Sequence, residues 1–152
     1  MTLDATDIRI LNLLQKDAKQ THKLIADQVN LSVTAVYERI KKLEKNQLIK
    51  AYTIEVDNKI LERNFMVFCH VKLVHHKQEM INEFENEVKK LPEVLECFHV
   101  SGDYDYILKV FVKDMDAFRE FMVKKLTSLN HIGSTHSSFV INSVKNSRIH
   151  EL

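Results

Sequence analysis

Apolar residues recur every three or four positions in the first third of this chain and mostly at every second position in several later runs, with the change of period near residue 50. Before that change, three stripes predict three short helices: Ile8, Leu11 and Leu14; Leu24, Ile25 and Val29; Val36, Ile40 and Leu43. Asp4, Thr21 and Ser32 each precede one of these runs. An oxygen at such a position accepts from the backbone N–H groups that the first helical turn leaves free.

Beyond residue 49 the runs 49–56, 65–74, 94–100, 104–112 and 132–144 are rich in Val, Ile, Phe and Tyr and predict strands. Two amphipathic helices interrupt them. One carries Met80, Ile81, Phe84, Val88 and Leu91, with Pro92 just past its last apolar residue; the other carries Met115, Phe118, Met122, Leu126 and Leu129. After the short strand at 49–56 the order is therefore βαββαβ, the split ferredoxin-like unit, whose sheet has helices on one face only. Within 65–73 the odd positions Phe65, Val67, Cys69, Val71 and Leu73 are apolar, yet Met66 and Phe68 on the other face are apolar too. Two apolar faces with one layer of helices imply that a second subunit covers the rest. The expected fold class is α+β: a helix-turn-helix domain at 1–50, a linking strand and hinge at 51–62, and a βαββαβ oligomerisation domain at 63–152.

The helix pair at 21–45 suits a helix-turn-helix. Ala26 is small where two helices cross, Asn30 tolerates a left-handed turn, and Val36 starts the buried stripe of the second helix. That stripe leaves Thr34, Ala35, Tyr37, Glu38, Arg39, Lys41 and Lys42 facing outward, with Ser32 at the N-terminus. Thr34, Ala35 and Tyr37 lie near the end that enters a major groove, Arg39, Lys41 and Lys42 can neutralise phosphates, and Glu38 can accept from cytosine N4. A solvated basic helix in a structural three-helix bundle fits the same spacing.

Composition narrows the classes. With 45% apolar and 28% charged residues in 152, the chain is long enough to bury a core without disulfide or metal. No run approaches a membrane span, the first residues are no signal peptide, and the expectation is a cytoplasmic protein. The net charge of +1 hides a split, because residues 1–50 hold nine Lys/Arg against six Asp/Glu and the remainder thirteen against fifteen. Cys69 and Cys97 lie in strand-like runs and are expected to be buried thiols; the eight histidines show no metal-ligand spacing, so neither metal nor cofactor is expected. No phosphate-binding loop, nucleophile elbow or dinucleotide fingerprint occurs, and His99 as a lone base carries no enzyme reading.

The stretches LDATDIRILNLLQKDAK, LIADQVNLSVTAVYERIKKLEKNQLIKAYTI and VLECFHVSGDYDYILKVFVKDMDAF, in this order and spacing, resemble the Lrp/AsnC transcription regulators over nearly the whole chain. The resemblance implies a recognition helix at 32–42, a linking strand at 49–56, and a βαββαβ domain that dimerises, assembles further into tetramers or octamers, and binds an amino acid. Asn30, Val33, Glu38 and Gln47 stand where the family commonly has Gly, Pro, Arg and Gly; Asn30 and Asn46 are expected to supply the left-handed turns.

The resemblance also implies that SGDYDY is the hairpin near an inter-subunit effector site. Asp103 or Asp105 offers a partner for an ammonium group, backbone N–H groups around Gly102 suit a carboxylate, and Tyr104 and Tyr106 suit an apolar wall with a polar tip. Thr135 and Ser137 align with hydroxyl residues of the family's last strand. The same residues also suit a tight Gly-Asp turn with tyrosines packed between subunits. The expected function is sequence-specific transcriptional regulation under a small-molecule effector. An effector-independent architectural DNA-binding protein is the alternative.

Overall fold

The computed structural model describes residues 2–147, 149, 150 and 152. They form two compact units, Met1–Glu55 with Val144–Leu152, and Val56–Ser143. From Val144 onward the chain groups with the helical unit by contact. There the Gln15 side chain donates to the His150 carbonyl at 3.1 Å and accepts from its N–H at 2.8 Å.

The helical unit holds α1 (Ala5–Lys16), α2 (His22–Val29) and α3 (Val33–Lys45). All three sequence-predicted caps form. Asp4 accepts from Asp7 N at 2.8 Å, Thr21 from Leu24 N at 3.2 Å and Ser32 from Ala35 N at 3.2 Å, and a cap of this kind contributes about 1 kcal/mol. Asn30 turns left-handed at φ 57 after α2, as expected. After α3 the left-handed residue is Gln47, φ 58, and not Asn46, which stays at φ −86 while its side chain donates to the Lys42 carbonyl at 2.7 Å. Ile10, Leu11, Ile25, Ala26, Val29, Val36, Ile40 and Leu43 make the core. The first stripe is thus rotated from the expected one, and Leu24 faces out at 54% exposure.

The predicted strand at 49–56 forms no strand pairing among the described residues. Its residues take no regular structure, with Tyr52, Ile54 and Val56 exposed, because a strand needs a neighbour to satisfy its backbone and none is present among the described residues. The Tyr52 hydroxyl holds the start of this segment to α3 by donating to Glu44 at 2.8 Å. Burial, and then the carboxylate of Glu44, push that phenol up to about 12.

The second unit is β1 (Phe65–Leu73), α4 (Gln78–Val88), β2 (Val94–His99), β3 (Tyr106–Val112), α5 (Met115–Phe121) with a following π-helical turn (Met122–Leu126), and β4 (Ile132–Phe139). The sheet runs β2-β3-β1-β4, antiparallel throughout, so the expected βαββαβ order stands. Val67, Cys69, Val71 and Leu73 alternate into the core with Tyr106, Leu108, Val110 and Val112, under Phe84, Val88, Phe118, Phe121 and Leu126 of the helices. Full burial of one such apolar side chain contributes about 1.5–3 kcal/mol. Cys69 is buried, but Cys97 is exposed, since β2 is an edge strand with a single neighbour. The opposite sheet face carries Met66, Phe68, His70 and Lys72 of β1 in register with Phe111, Lys109 and Ile107 of β3 and with Ser138, His136 and Ser134 of β4. No helix of this chain is long and apolar enough to cross a membrane, among the described residues.

Candidate functional site

Two regions hold the sequence-predicted residues, and each unit contains one. In the helical unit, the buried stripe Val36, Ile40 and Leu43 turns the rest of α3 outward. Thr34, Tyr37, Glu38, Lys41 and Lys42 are exposed, and Ala35 is half-buried. Tyr37 packs edge-on against the His22 ring at 5.7 Å between centroids, and Lys41 Nζ stands 5.6 Å from the Tyr37 ring. That contact aligns a cation and an aromatic hydroxyl along one helix face. Among the described residues neither Lys41 nor Lys42 has a carboxylate partner. The Ser32 hydroxyl is occupied by its capping bond.

Arg39 departs from expectation. Its guanidinium donates to Asp4 Oδ2 at 2.7 Å and to Asp7 Oδ1 at 2.6 Å, and Asp7 is 5% exposed. The hydrogen bond from Arg39 is the main cause that holds the Asp4 carboxyl below its ordinary value, and the two carboxylates raise the arginine in turn. A cation already shared by two carboxylates is poorly placed to neutralise phosphate. In this structure it fastens α3 to the first turn of α1. The missed partners left one signal, acidic residues three apart at the start of α1, where Asp7 also closes the capping box with Asp4.

In the second unit the candidate effector residues do not converge. Gly102, at φ 134, forms the hairpin between β2 and β3, and nothing lies within 4 Å of where a side chain would stand. Asp103 beside it is exposed. Tyr104 is half-buried, with its ring 5.2 Å from His70 and 6.2 Å from His136. Asp105 is committed: it accepts from Leu73 N at 2.7 Å and contacts His76 Nε2 at 2.8 Å. Burial pushes its carboxyl up, but the Leu73 N–H, then His76 and Lys72, outweigh that and leave it below the ordinary value. Tyr106 is in the core at 1% exposure, 4.7 Å from the Phe84 ring, and donates to Glu85 at 2.9 Å. Its ring and hydroxyl, expected to give an apolar wall with a polar tip, are thus engaged inside the core of this chain. Thr135 and Ser137 sit opposite Val71 and Cys69, on the helix-covered face, whereas Tyr104 lies by His70 and His136 on the other.

His99, weighed as a base, stacks on Tyr106 at 4.6 Å. His75 and His76 lie beyond the end of β1. Sequence reasoning missed His70 and His136 altogether, because only strand register brings them together.

Comparison with known proteins assigns both units. The winged helix-turn-helix DNA-binding model matches residues 3–50, and the Lrp/AsnC ligand binding domain matches residues 66–149. The leucine-responsive regulatory protein of Escherichia coli (strain K12) is 36% identical over 145 residues, 95% of this chain and 88% of its own. This chain belongs to the Lrp/AsnC family. As an Lrp/AsnC transcriptional regulator it carries a helix-turn-helix DNA-binding unit and a ligand-binding unit. A regulator from Neisseria meningitidis, solved as its L-Met complex, superposes with a TM-score of 0.92 at 32% identity, covering 97% of this chain and 95% of that one. An AsnC family regulator from Agrobacterium tumefaciens gives 0.93 at 29% identity, covering 98% and 97%. All three relatives are named as regulators. The family assignment expected from the three quoted stretches is thereby established, and so is the α+β fold.

Proposed function

We propose that this Lrp/AsnC regulator works in the cytoplasm as a sequence-specific DNA-binding homodimer, assembling further into tetramers or octamers, whose second unit senses an amino acid. The observation that carries the reading is α3. Its outward Thr34, Ala35, Tyr37, Lys41 and Lys42 suit entry into a major groove, with the two lysines on phosphates and the small residues at base edges. Glu38 suits a base-edge contact to cytosine, Ser32 caps the reading helix, and Arg39 positions it from behind.

Self-association rests on the apolar open face of the sheet, Met66, Phe68, Ile107 and Phe111, and on the extended segment around Ile54, whose unpaired backbone suits the same segment of a second copy. A two-fold dimer would present its reading helices to successive major grooves about 34 Å apart. No catalysis is required.

The amino-acid effector is supported by the relatives, one named leucine-responsive and one solved with L-Met. In this chain the exposed Asp103, the open Gly102 backbone and Tyr104 are the groups available to it. Asp105 and Tyr106 are already bonded within this chain, and Thr135 and Ser137 lie on the helix-covered face of the sheet. A second reading, an architectural DNA-binding protein without effector, is favoured by one observation, that these residues do not form a single pocket in one chain.

Melting the protein with each of the twenty amino acids separates the two readings, since a ligand at 100 times its Kd stabilises the native state by about 2.7 kcal/mol. A rise with one amino acid that also shifts DNA affinity or subunit number is expected. No rise with any of them leaves the architectural reading. DNA affinity independent of salt refutes both.

A further inference from the structure

On the open face of the sheet, His70 of β1 and His136 of β4 are directly opposite in the antiparallel register. Their ring centroids are 5.9 Å apart with planes tilted by 54°. Two other histidines in this unit are paired to carboxylates, His76 to Asp105 and His131 to Glu83. His70 and His136 have no hydrogen-bond partner among the described residues, so their ring nitrogens are free to ligate. We infer that this cross-strand pair is half of a site for a late first-row divalent cation of the Zn2+ class, completed by the same pair of a second copy.

The spacing fits chelation. A zinc–imidazole nitrogen bond of about 2.0–2.1 Å places the ion roughly 3.2 Å from each ring centroid, so rings 5.9 Å apart subtend about 135° at it. Closing them by about 0.7 Å through side-chain rotation reaches the tetrahedral angle.

The chemistry also selects the ion. No carboxylate is placed with the pair: Asp105 and Glu83 are occupied as above, and Glu96 is bound to Lys109 at 2.9 Å. An all-imidazole donor set suits Zn2+, Cu2+ or Ni2+ and not Mg2+ or Ca2+.

One chain supplies two ligands where a structural zinc site takes four, and within the described residues no three His, Cys, Asp or Glu groups gather around an ion. Two sheets packed face to face stand about 10 Å apart, so an ion at the midplane is within reach of imidazoles from both. The inference rests on the proposed self-association through this face, and it adds a chemical control to it: metal would tighten the dimer.

The test uses the full chain, stripped with a chelator and then titrated with ZnCl2 by calorimetry, with sedimentation equilibrium in parallel. The expected result is half an equivalent of Zn2+ per chain, a dimer dissociation constant at least tenfold lower with Zn2+, and no such binding in His70→Gln or His136→Gln. The stripped protein remains dimeric at higher concentration, Co2+ gives the visible absorption of a tetrahedral site, and a His75→Ala control keeps full uptake. Unchanged uptake in the two Gln variants, or no uptake by a stripped dimer, overturns the metal site and leaves the self-association standing. A monomer at every concentration, with and without Zn2+, overturns both.

Discussion

Replacement of Arg39 by alanine separates its two possible roles, because contact with phosphate and attachment of α3 to α1 fail in different ways. In the structure its guanidinium lies on Asp4 and Asp7, and Asp7 is 5% exposed. Removal leaves a nearly buried carboxylate without its cation. Breaking a buried pair from one side costs about 3–5 kcal/mol, but Arg39 is 32% exposed and water can partly replace it, which sets the expected loss near 2–3 kcal/mol. For a helical unit of this size each kcal/mol moves the Tm by about 4–8 °C, so the unit should melt on the order of 10–20 °C lower. Calorimetry or circular dichroism reads this directly. The loss should shrink in the Asp7→Ala background, because the two changes remove one shared interaction.

Acid dependence supplies an independent sign. Arg39 holds the Asp4 carboxyl below its ordinary 3.8. The stability it contributes is therefore complete above that value and disappears as pH falls through the lowered one. Wild type should lose stability more steeply than Arg39→Ala on acidification below about pH 4. If Arg39→Ala instead melts within about 0.5 kcal/mol of wild type while DNA affinity falls steeply at matched salt, the structural role is refuted and the residue returns to the phosphate contacts.

Four further outcomes are expected. Lys41→Ala and Lys42→Ala should each weaken DNA binding about equally across sequences and reduce the salt slope by about 1, with melting unchanged, as read by fluorescence anisotropy at several salt concentrations. Asp105→Ala strands the Leu73 N–H and should cost the second unit about 1–3 kcal/mol. Because the Asp105 carboxyl lies below its ordinary value when folded, the wild-type advantage should vanish as pH falls through that lowered value. Asp103→Ala should leave stability alone and remove any amino-acid response; a full response there moves the ammonium partner elsewhere. Phe68→Asp places a charge in the middle of the open sheet face and should yield a monomer by sedimentation, whereas an unchanged oligomer places the interface on another surface.

Much of the architecture was legible in periodicity. The caps at Asp4, Thr21 and Ser32, the stripe Val36, Ile40 and Leu43, and the alternation Val67, Cys69, Val71 and Leu73 are local patterns, and each formed as read. Failures came where the outcome depends on a partner. The strand at 49–56 has the right composition but no strand neighbour among the described residues. Cys97 is apolar in context yet exposed, since a run of residues does not say which strand lies at the edge. Arg39 reads as a free cation until the approach of α1 brings Asp4 and Asp7 to it. In the SGDYDY loop, chemistry named plausible ligand groups, but the register turned Tyr106 inward and tied Asp105 to Leu73 and His76. The pair His70 and His136 stands 66 residues apart in sequence and opposite in register, and no spacing rule joins positions that only the β1–β4 ladder aligns.

Register also bears on how sensing can work. Antiparallel pairing puts residues directly opposite one another on the same face, so Thr135 and Ser137 share the helix-covered side with Val71 and Cys69, while His136 shares the open side with His70 and, near it, Tyr104. A small ligand held by one chain can touch one of these sets and not both. If an amino acid is gripped by Gly102, Asp103 and Tyr104, the remaining contacts must come from another copy, which makes ligand affinity a function of assembly. Linkage then runs in both directions: an amino acid bound between copies favours the assembly that creates its site, and DNA binding responds only to the extent that this assembly differs from the others in its affinity for DNA. A response of DNA affinity to the amino acid without any change in the distribution or geometry of assemblies would contradict this argument at its root, because a ligand with equal affinity for every state shifts none of them.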